Sequence, residues 1–389
     1  MNIAMLAYTF YESDNRVRRY SEALAERGDQ VDVYALARNG NPSKEVIKNV
    51  NLFRIQKRTS NEKHKAEYLF KILIFFFNSM LRVTVNHFRK KYDVIHVHSV
   101  PDFEVFAAVF AKLTGAKVIL DIHDIVPEFY ASKFNVSKTS FLFRLLVLVE
   151  KLSSAFSDHV IISNHIWYET LKSRSVKNGK CSAIINYPDP NSFYQTERQV
   201  NSDKFILIYP GSLNWHQGLD IAIRAFARIH DQINGAEFHI YGIGETKPLL
   251  EKMANDMGLS DKVLFMDILP TEGIAAKMAG ASLGIVPKRA QSFGNEAFST
   301  KIMEFMSLGV PVIVSKTKID QYYFNDNLVM FFEPENDQHL AKKITQLYRD
   351  NKQRESLVNN GLKFISENNW GVKKDIYLKL VDELITRKK

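Results

Sequence analysis

The chain has 389 residues, 46% of them hydrophobic, which is ample for buried cores and argues for two domains rather than one. Its single cysteine, Cys181, excludes an intramolecular disulfide framework and suits a reducing cytosol. The net charge of +9 is uneven: residues 1–190 carry 27 Lys and Arg against 19 Asp and Glu, the remainder 25 against 24. Such asymmetry points to an anionic partner for the first half, whether nucleic acid, a phospholipid surface or a phosphorylated substrate; a merely solubilising surface is the alternative. The start, "MNIAMLAYTF", lacks the basic region and cleavage site of a signal peptide, which argues against secretion.

In chain order, "NIAMLAY" reads as a strand, and Asp14 then stands where it would cap a helix through "RVRRYSEALAERG" that Gly28 ends. "VDVYALA" is the next strand. The stretch "KAEYLFKILIFFFNSMLRVTVNHFRKK" (Lys65 to Lys91) has cations at both ends, and its unbroken apolar core, Ile72 to Phe77, falls far short of the roughly 20 residues needed to span a bilayer. It is either a helix lying in a membrane interface or a buried helix of the domain. "DVIHVHS", a helix around "FEVFAAVFAKLTG", "KVILDIHD", a long helix ending near Phe156 and "HVIIS" follow. His96 and His98 alternate along one strand. With no third ligand in view, strand-end packing or substrate contact is preferred to a metal site.

Mostly apolar strands separated by helices imply a parallel sheet covered on both faces. The pattern breaks at "NYPDPNSFYQTERQVNSD", which reads as an interdomain linker, and then restarts with "KFILIYPGS", "EFHIYGIGE", "KVLFMD", "SLGIVP" and "VPVIVS", again separated by helical stretches. The fold class is therefore α/β, with two doubly wound Rossmann-like domains, 1–190 and 203–369, facing a central cleft. A last helix, about 370–389, returns to complete the first domain. Doubly wound sheets bind ligands at their strand C-termini.

One stretch there carries chemistry: "FGNEAFSTKIMEFMSLGVPVIVS". With Ser299 as N-cap, a helix runs from Thr300 to Leu308 and Gly309 closes it. Thr300, Lys301 and Glu304 then share one face. Free amides at the helix start favour an anion such as phosphate, to which Lys301 would add a cation. Glu304 would accept hydrogen bonds from paired hydroxyls such as those of a ribose, and Glu296 would lie near whatever is attached beyond the phosphates. A Lys301–Glu304 surface ion pair is the bland alternative.

These residues resemble the donor-site signature of retaining, GT-B-fold glycosyltransferases of family 4: two glutamates spaced E-x7-E, followed by "SLGVPVIVS". "YPGSLNWHQGLDIAIRAF", "IYGIGETKPLLEKMANDMGLSDKVLFMDIL" and "DIHDIVPE" resemble, in order, the family's first donor loop, its nucleotide-base segment and its acceptor-domain histidine motif. The resemblance covers nearly the whole chain. It implies that Glu304 binds ribose hydroxyls, that Glu296 contacts the donor sugar, and that amides around Phe298 and Ser299 hold the diphosphate. Gly211, Ser212, Gln217 and Gly242 would belong to the nucleotide-binding loops. His123 would contact the donor sugar near the reacting carbon, with Asp124 fixing the loop or the ring.

Two departures stand out. The family's usual Arg and Lys at the diphosphate are replaced by Ser212 and Gln217, so Lys301 is the expected compensating cation, with Lys288, Arg289 and His216 behind it. "TFYESDNRVRR" replaces the family's glycine-rich first loop, so that Arg16 or Arg18 would meet an anionic acceptor or else be surface charges; His98 is a further weak acceptor candidate. The resemblance implies same-face attack by the acceptor hydroxyl, with no metal or other cofactor, the nucleotide-sugar being a substrate. UDP is the expected nucleotide, with GDP open, and a saccharide or lipid-linked saccharide the acceptor, at the cytoplasmic face of a membrane. A dinucleotide oxidoreductase is disfavoured because the third glycine of G-x-G-x-x-G is Lys247. A sugar-nucleotide epimerase and a nucleic-acid-binding protein remain as rivals, the second leaving the donor motif unexplained.

Overall fold

The computed structural model describes residues 1–58, 65–134, 136–177, 179–195 and 203–386. It divides into two compact units, Met1–Asn186 with Lys373–Lys389, and Tyr187–Val372. Part of the expected linker, residues 196–202, lies outside the described residues.

The first unit is built on an eight-stranded sheet of order β3-β4-β2-β1-β5-β6-β7-β8. Its strands are β1 (Asn2–Ala7), β2 (Gln30–Ala37), β3 (Lys44–Ile47), β4 (Val50–Lys57), β5 (Val94–His98), β6 (Lys117–Ile122), β7 (His159–Ile162) and β8 (Cys181–Ala183). All neighbours pair in parallel except β3 with β4. Ile3 to Ala7 are completely buried, as a central parallel strand with helices on both faces requires.

The helices are α1 (Asn15–Glu26), α2 (Lys65–Lys90), α3 (Val109–Leu113), α4 (Val126–Phe134), α5 (Phe141–Phe156) and α6 (His165–Arg174). Asp14 caps α1 by accepting from the amides of Arg16 and Val17, both at 3.1 Å. The helix expected around "FEVFAAVFAKLTG" is instead a tight 3-10 segment, Asp102–Ala108, followed by the short α3. Inside that segment Glu104 is fully buried, and burial pushes its carboxyl up to about 8 and that of Asp102 to about 7.

The second unit holds a fully parallel six-stranded sheet, β11-β10-β9-β12-β13-β14. Its strands are β9 (Phe205–Pro210), β10 (Ala236–Tyr241), β11 (Val263–Met266), β12 (Leu283–Val286), β13 (Val312–Ser315) and β14 (Met330–Phe332). The helices are α7 (Leu219–Ala227), α8 (Lys247–Asp256), α9 (Thr271–Ala279), α10 (Thr300–Ser307), α11 (Lys318–Tyr323), α12 (Asp337–Arg349) and α13 (Asn351–Glu367). Leu207, Tyr209, Ile221, Phe226, Phe238 and Ile240 form the middle of its core; side chains of this size are each worth about 1.5–3 kcal/mol when fully buried.

The last helix, α14 (Trp370–Thr386), carries the chain back to the first unit. There Tyr377 is completely buried, stacked on Tyr20 of α1 at 4.1 Å between ring centres.

Candidate active site

In the first unit the carboxylate of Asp121 is a hub. Residues alternate across a strand, so His96 and His98 share one face of β5, and the parallel register sets His98 beside Asp121 on β6. His123 follows two residues later, at the strand's C-terminal end. Four nitrogens of three side chains converge on Asp121: Arg16 Nε at 2.7 Å and Nη2 at 2.6 Å, His98 Nδ1 at 3.1 Å and His123 Nε2 at 3.1 Å. Burial alone would raise this carboxyl, but the Arg16 guanidinium and His123 hold it well below the usual carboxylate range. Burial, and for His96 the stacked His98 ring as well, keeps both strand histidines low and neutral at pH 7.

This arrangement corrects the expectation for Arg16. It is neither a surface charge nor open to an acceptor: its remaining nitrogen donates to the Ile184 carbonyl at 2.9 Å and to Asn186 Oδ1 at 3.0 Å, and its side chain is 3% exposed. Arg18, by contrast, lies on the helix surface and pairs with Glu22 at 3.2 Å. The carboxylate within hydrogen-bond reach of the His123 ring is Asp121, at 3.1 Å; at Asp124, expected to fix the loop or the ring, burial raises the carboxyl, opposed by His123.

His96, His98 and Asp121 also supply the third metal-ligating group that the sequence did not reveal, their ligand atoms lying within 4.8 Å of one another. The Arg16 guanidinium already gives Asp121 its counter-charge, and His96 Nδ1 is engaged with the Tyr377 hydroxyl at 2.8 Å. His96 faces Asp121 with its other nitrogen, Nε2, at 3.9 Å and without a hydrogen-bond partner, so what disfavours a divalent cation here is the Arg16 guanidinium already seated on the carboxylate.

In the second unit, β9 is followed directly by Gly211 and Ser212, and β10 beside it by Gly242. The backbones press together: the Gly211 amide donates to the Tyr241 carbonyl at 2.8 Å, and a Cβ on Gly242 would sit 1.8 Å from the Gly211 oxygen. Gly211 in turn has φ +144°, and a Cβ there would lie 2.4 Å from Lys301 Cε and 2.9 Å from Nζ. Only glycine lets the lysine reach this loop.

Lys301 leaves the first turn of α10 and runs over the Tyr209 ring, its ammonium 5.3 Å from the ring centre. Burial lowers its pKa, with Glu304 one turn on opposing that shift. Among the described residues it has no ion pair within 4 Å. Two of the other candidate cations, Lys288 and Arg289, are committed elsewhere. Lys288 is buried on Asp320 at 2.9 Å and donates to the Ala297 carbonyl at 2.8 Å. Arg289 grips Asp220 at 2.6 and 2.7 Å and stacks over Trp215. The Lys288 charge also lowers the Lys301 pKa, and its partner Asp320 opposes that shift.

Ser299 occupies the N-cap of α10 but makes no capping bond; its hydroxyl is buried without a hydrogen-bond partner. Thr300 opens the helix, and Phe298 before it stands edge-on to Tyr323 at 4.9 Å. Glu296 precedes them and pairs with Lys318 at 2.7 Å, a residue that the sequence reading did not single out. In the first donor loop, Gln217 closes a short turn beside His216 and keeps a buried amide oxygen unpartnered. An unpartnered hydroxyl on Ser299 and the Lys301 ammonium, both at the start of α10, suit a polyanion.

Two family descriptions match the chain one after the other: Glycosyltransferase Family 4 over residues 14–191, and Glycosyl transferases group 1 over residues 192–364. An uncharacterized glycosyltransferase of Methanocaldococcus jannaschii is 24% identical over 363 residues, spanning 89% of this chain and 87% of its own. Among solved structures, sucrose-phosphate synthase from Thermosynechococcus elongatus superposes with a TM-score of 0.81 at 19% identity, covering 99% of both chains. Anabaena HepE in complex with UDP superposes with a TM-score of 0.71 at 16% identity, over 98% of this chain and 100% of that one. The fold is thus that of the GT-B glycosyltransferases. The chain belongs to the group 1, family 4 branch of these enzymes.

Proposed function

We propose that the protein is a retaining hexosyltransferase that moves a sugar from a UDP-sugar to a saccharide or lipid-linked saccharide, in the synthesis of a surface polysaccharide or glycolipid. The observation that carries this reading is Lys301: a largely buried ammonium reaching the Gly211–Ser212 turn, where a diphosphate would supply the missing negative charge. Glu304 then takes the ribose hydroxyls, the amides at Phe298 and Ser299 the diphosphate, and Glu296 the sugar. Its Lys318 partner restrains Glu296 from below until a sugar hydroxyl competes for it.

His123, steadied by Asp121, contacts the sugar near its anomeric carbon. The acceptor oxygen bonds to that carbon from the face the diphosphate leaves. The carbon–phosphate oxygen bond breaks, and the departing phosphate oxygen takes the acceptor's proton. No metal is assigned to this step, because Lys301 and the helix start neutralise the leaving group. UDP is favoured by family habit and by the UDP-bound HepE relative. The basic first unit and the apolar α2 favour work at the cytoplasmic face of a membrane, on an acceptor held there.

Calorimetric titration with UDP, GDP and ADP, repeated with Glu304→Ala, tests the donor site. Tight binding of one nucleotide, lost in the variant, is expected. Binding of none of them overturns the reading.

A further inference from the structure

Helix α2 carries two apolar stripes. One, including Ile72, Phe75 and Val83, is buried in the unit; the other, including Phe70, Ile74, Phe77, Leu81, Val85 and Phe88, is 37–71% exposed. The helix is long and apolar enough to cross a bilayer by length and composition, yet it is tied down along its length. Gln56 donates to the Lys71 carbonyl at 3.0 Å, Asn86 to the Tyr34 hydroxyl at 2.6 Å, and His87 bonds Thr114 at 2.7 Å. A helix held this way keeps one side on the domain and presents the other outward.

Helix α5 repeats the pattern. Ser140 caps it, Phe143, Glu150 and Ser153 face inward, and Phe141, Leu145, Leu148 and Leu152 form an i, i+4, i+7, i+11 stripe that is 41–82% exposed. Its acid, Glu150, is turned inward onto Arg174 at 2.6 Å, so the charges left outside are the cations Arg144 and Lys151. On α2 the outward charges are Arg82 and Arg89, and Glu67 is neutralised by Lys71 at 2.9 Å.

The two stripes lie on one layer. The connections from β4 to β5, β5 to β6 and β6 to β7 all step the same way across the sheet. Right-handed crossovers therefore put α2, residues 102–113 and α5 on the same face. Side chains bridge them: Phe76 of α2 meets Phe103 at 5.9 Å, and Phe106 meets Phe156 of α5 at 5.1 Å. Between the stripes, Phe110 and Leu113 are also exposed, the latter by 79%.

We propose that α2 and α5 form one two-helix platform that lies in the plane of an anionic lipid monolayer. This rests on the membrane reading above and deepens it by naming the second helix and the lipid class. Hydrocarbon accepts the stripes, while anionic headgroups meet the cations beside them. A second copy of the chain is the poorer occupant, since a face-to-face pairing would set the cations Arg82, Arg89, Arg144 and Lys151 of one copy against the same set of cations on the other.

The test is sedimentation of the full chain with phosphatidylcholine vesicles, with and without phosphatidylglycerol. It is repeated for Arg144→Gln/Lys151→Gln, Phe141→Ser/Leu148→Ser and Phe77→Ser/Leu81→Ser, each checked for unchanged melting and nucleotide binding. Binding only to the anionic vesicles is expected, released by alkaline carbonate, and weakened about 25-fold by loss of the two α5 cations at about fivefold each. Both serine pairs should weaken it further. Binding lost in the α2 pair alone overturns the α5 assignment and leaves the membrane reading standing. No wild-type binding at low salt overturns both without touching the donor site. Retention after carbonate overturns the in-plane geometry. A dimer that the α5 variants dissociate, in a chain that ignores vesicles, overturns the lipid in favour of a second copy.

Discussion

Replacing Arg16 by methionine keeps most of the side-chain volume and removes the cation that neutralises Asp121. Both groups are buried, at 3% and 0% exposure, and the guanidinium meets the carboxylate with two bonds of 2.6 and 2.7 Å. Stranding one member of such a pair costs about 3–5 kcal/mol. In a unit of about 200 residues each kcal/mol lowers the melting temperature by about 2–4 °C, so a fall of roughly 10 °C is expected by scanning calorimetry. Arg16→Lys should recover part of it, keeping the charge but losing the fork. Arg16→Met/Asp121→Leu should recover most, because the uncompensated charge is gone. The pH dependence has a definite sign. Asp121 has a folded pKa below its unfolded value, so its contribution is present above about pH 4 and is lost as pH falls through the folded value. In Arg16→Met burial raises this carboxyl, so the gap to wild type should narrow under acid. A loss below about 0.5 kcal/mol, the range of ordinary surface substitutions, with no rescue by the double variant, would refute the assignment.

The buried Glu104 acts in the opposite sense. Its carboxyl stays protonated up to about pH 8 in the fold but ionises from about 4.3 when unfolded, so stability falls as pH rises across that window. Glu104→Gln should remove a decline of about 3 kcal/mol between pH 4.5 and 7, read as a flatter plot of melting temperature against pH; equal slopes would exclude it. Lys301→Met should weaken nucleotide diphosphate binding by roughly 10–100-fold, the worth of a charged hydrogen bond, without lowering the melting temperature. Gly211→Ala should do the same by a different route, because the new methyl group takes the space of Lys301 Cε. An unchanged Kd in calorimetry would show that the lysine does not serve the ligand.

What the sequence made legible was what short-range chemistry decides. Strands such as β1 and β9 are nearly unbroken apolar runs, and Asp14 announces α1 because a cap acts only on the next two or three amides. The hairpin β3–β4 escaped because β3, "KEVI", is half exposed and has little apolar character, and its turn uses Lys48 and Asn49 at positive φ without glycine. The segment after Pro101 has helical composition, yet it winds as a 3-10 turn with Glu104 drawn inside. Arg16 could not be read correctly from its neighbours, since the carboxylate that claims it lies 105 residues away. The H-x-H and D-x-H patterns were visible at their strand ends. That they form one cluster depends on β5 and β6 being adjacent in this register. In the second unit the glutamates, Lys301 and the glycines were all visible. That the weaker candidates Arg289 and Lys288 are committed elsewhere was not, because Asp220 and Asp320 claim them through the fold alone.

The return of α14 to the first unit has a consequence for how the chain is made. Tyr377 covers the Tyr20 ring and bonds His96, while Asp382 and Lys374 pair with Arg27 and Glu26. All of these partners leave the ribosome long before α14 does. At about 5–20 residues per second the stretch from residue 186 to 377 takes roughly 10–40 s to synthesise. Throughout that interval the first sheet stands with one part of its surface uncovered, and the whole second unit emerges and folds in the meantime. The order of translation thus makes the first domain to appear the last to be finished.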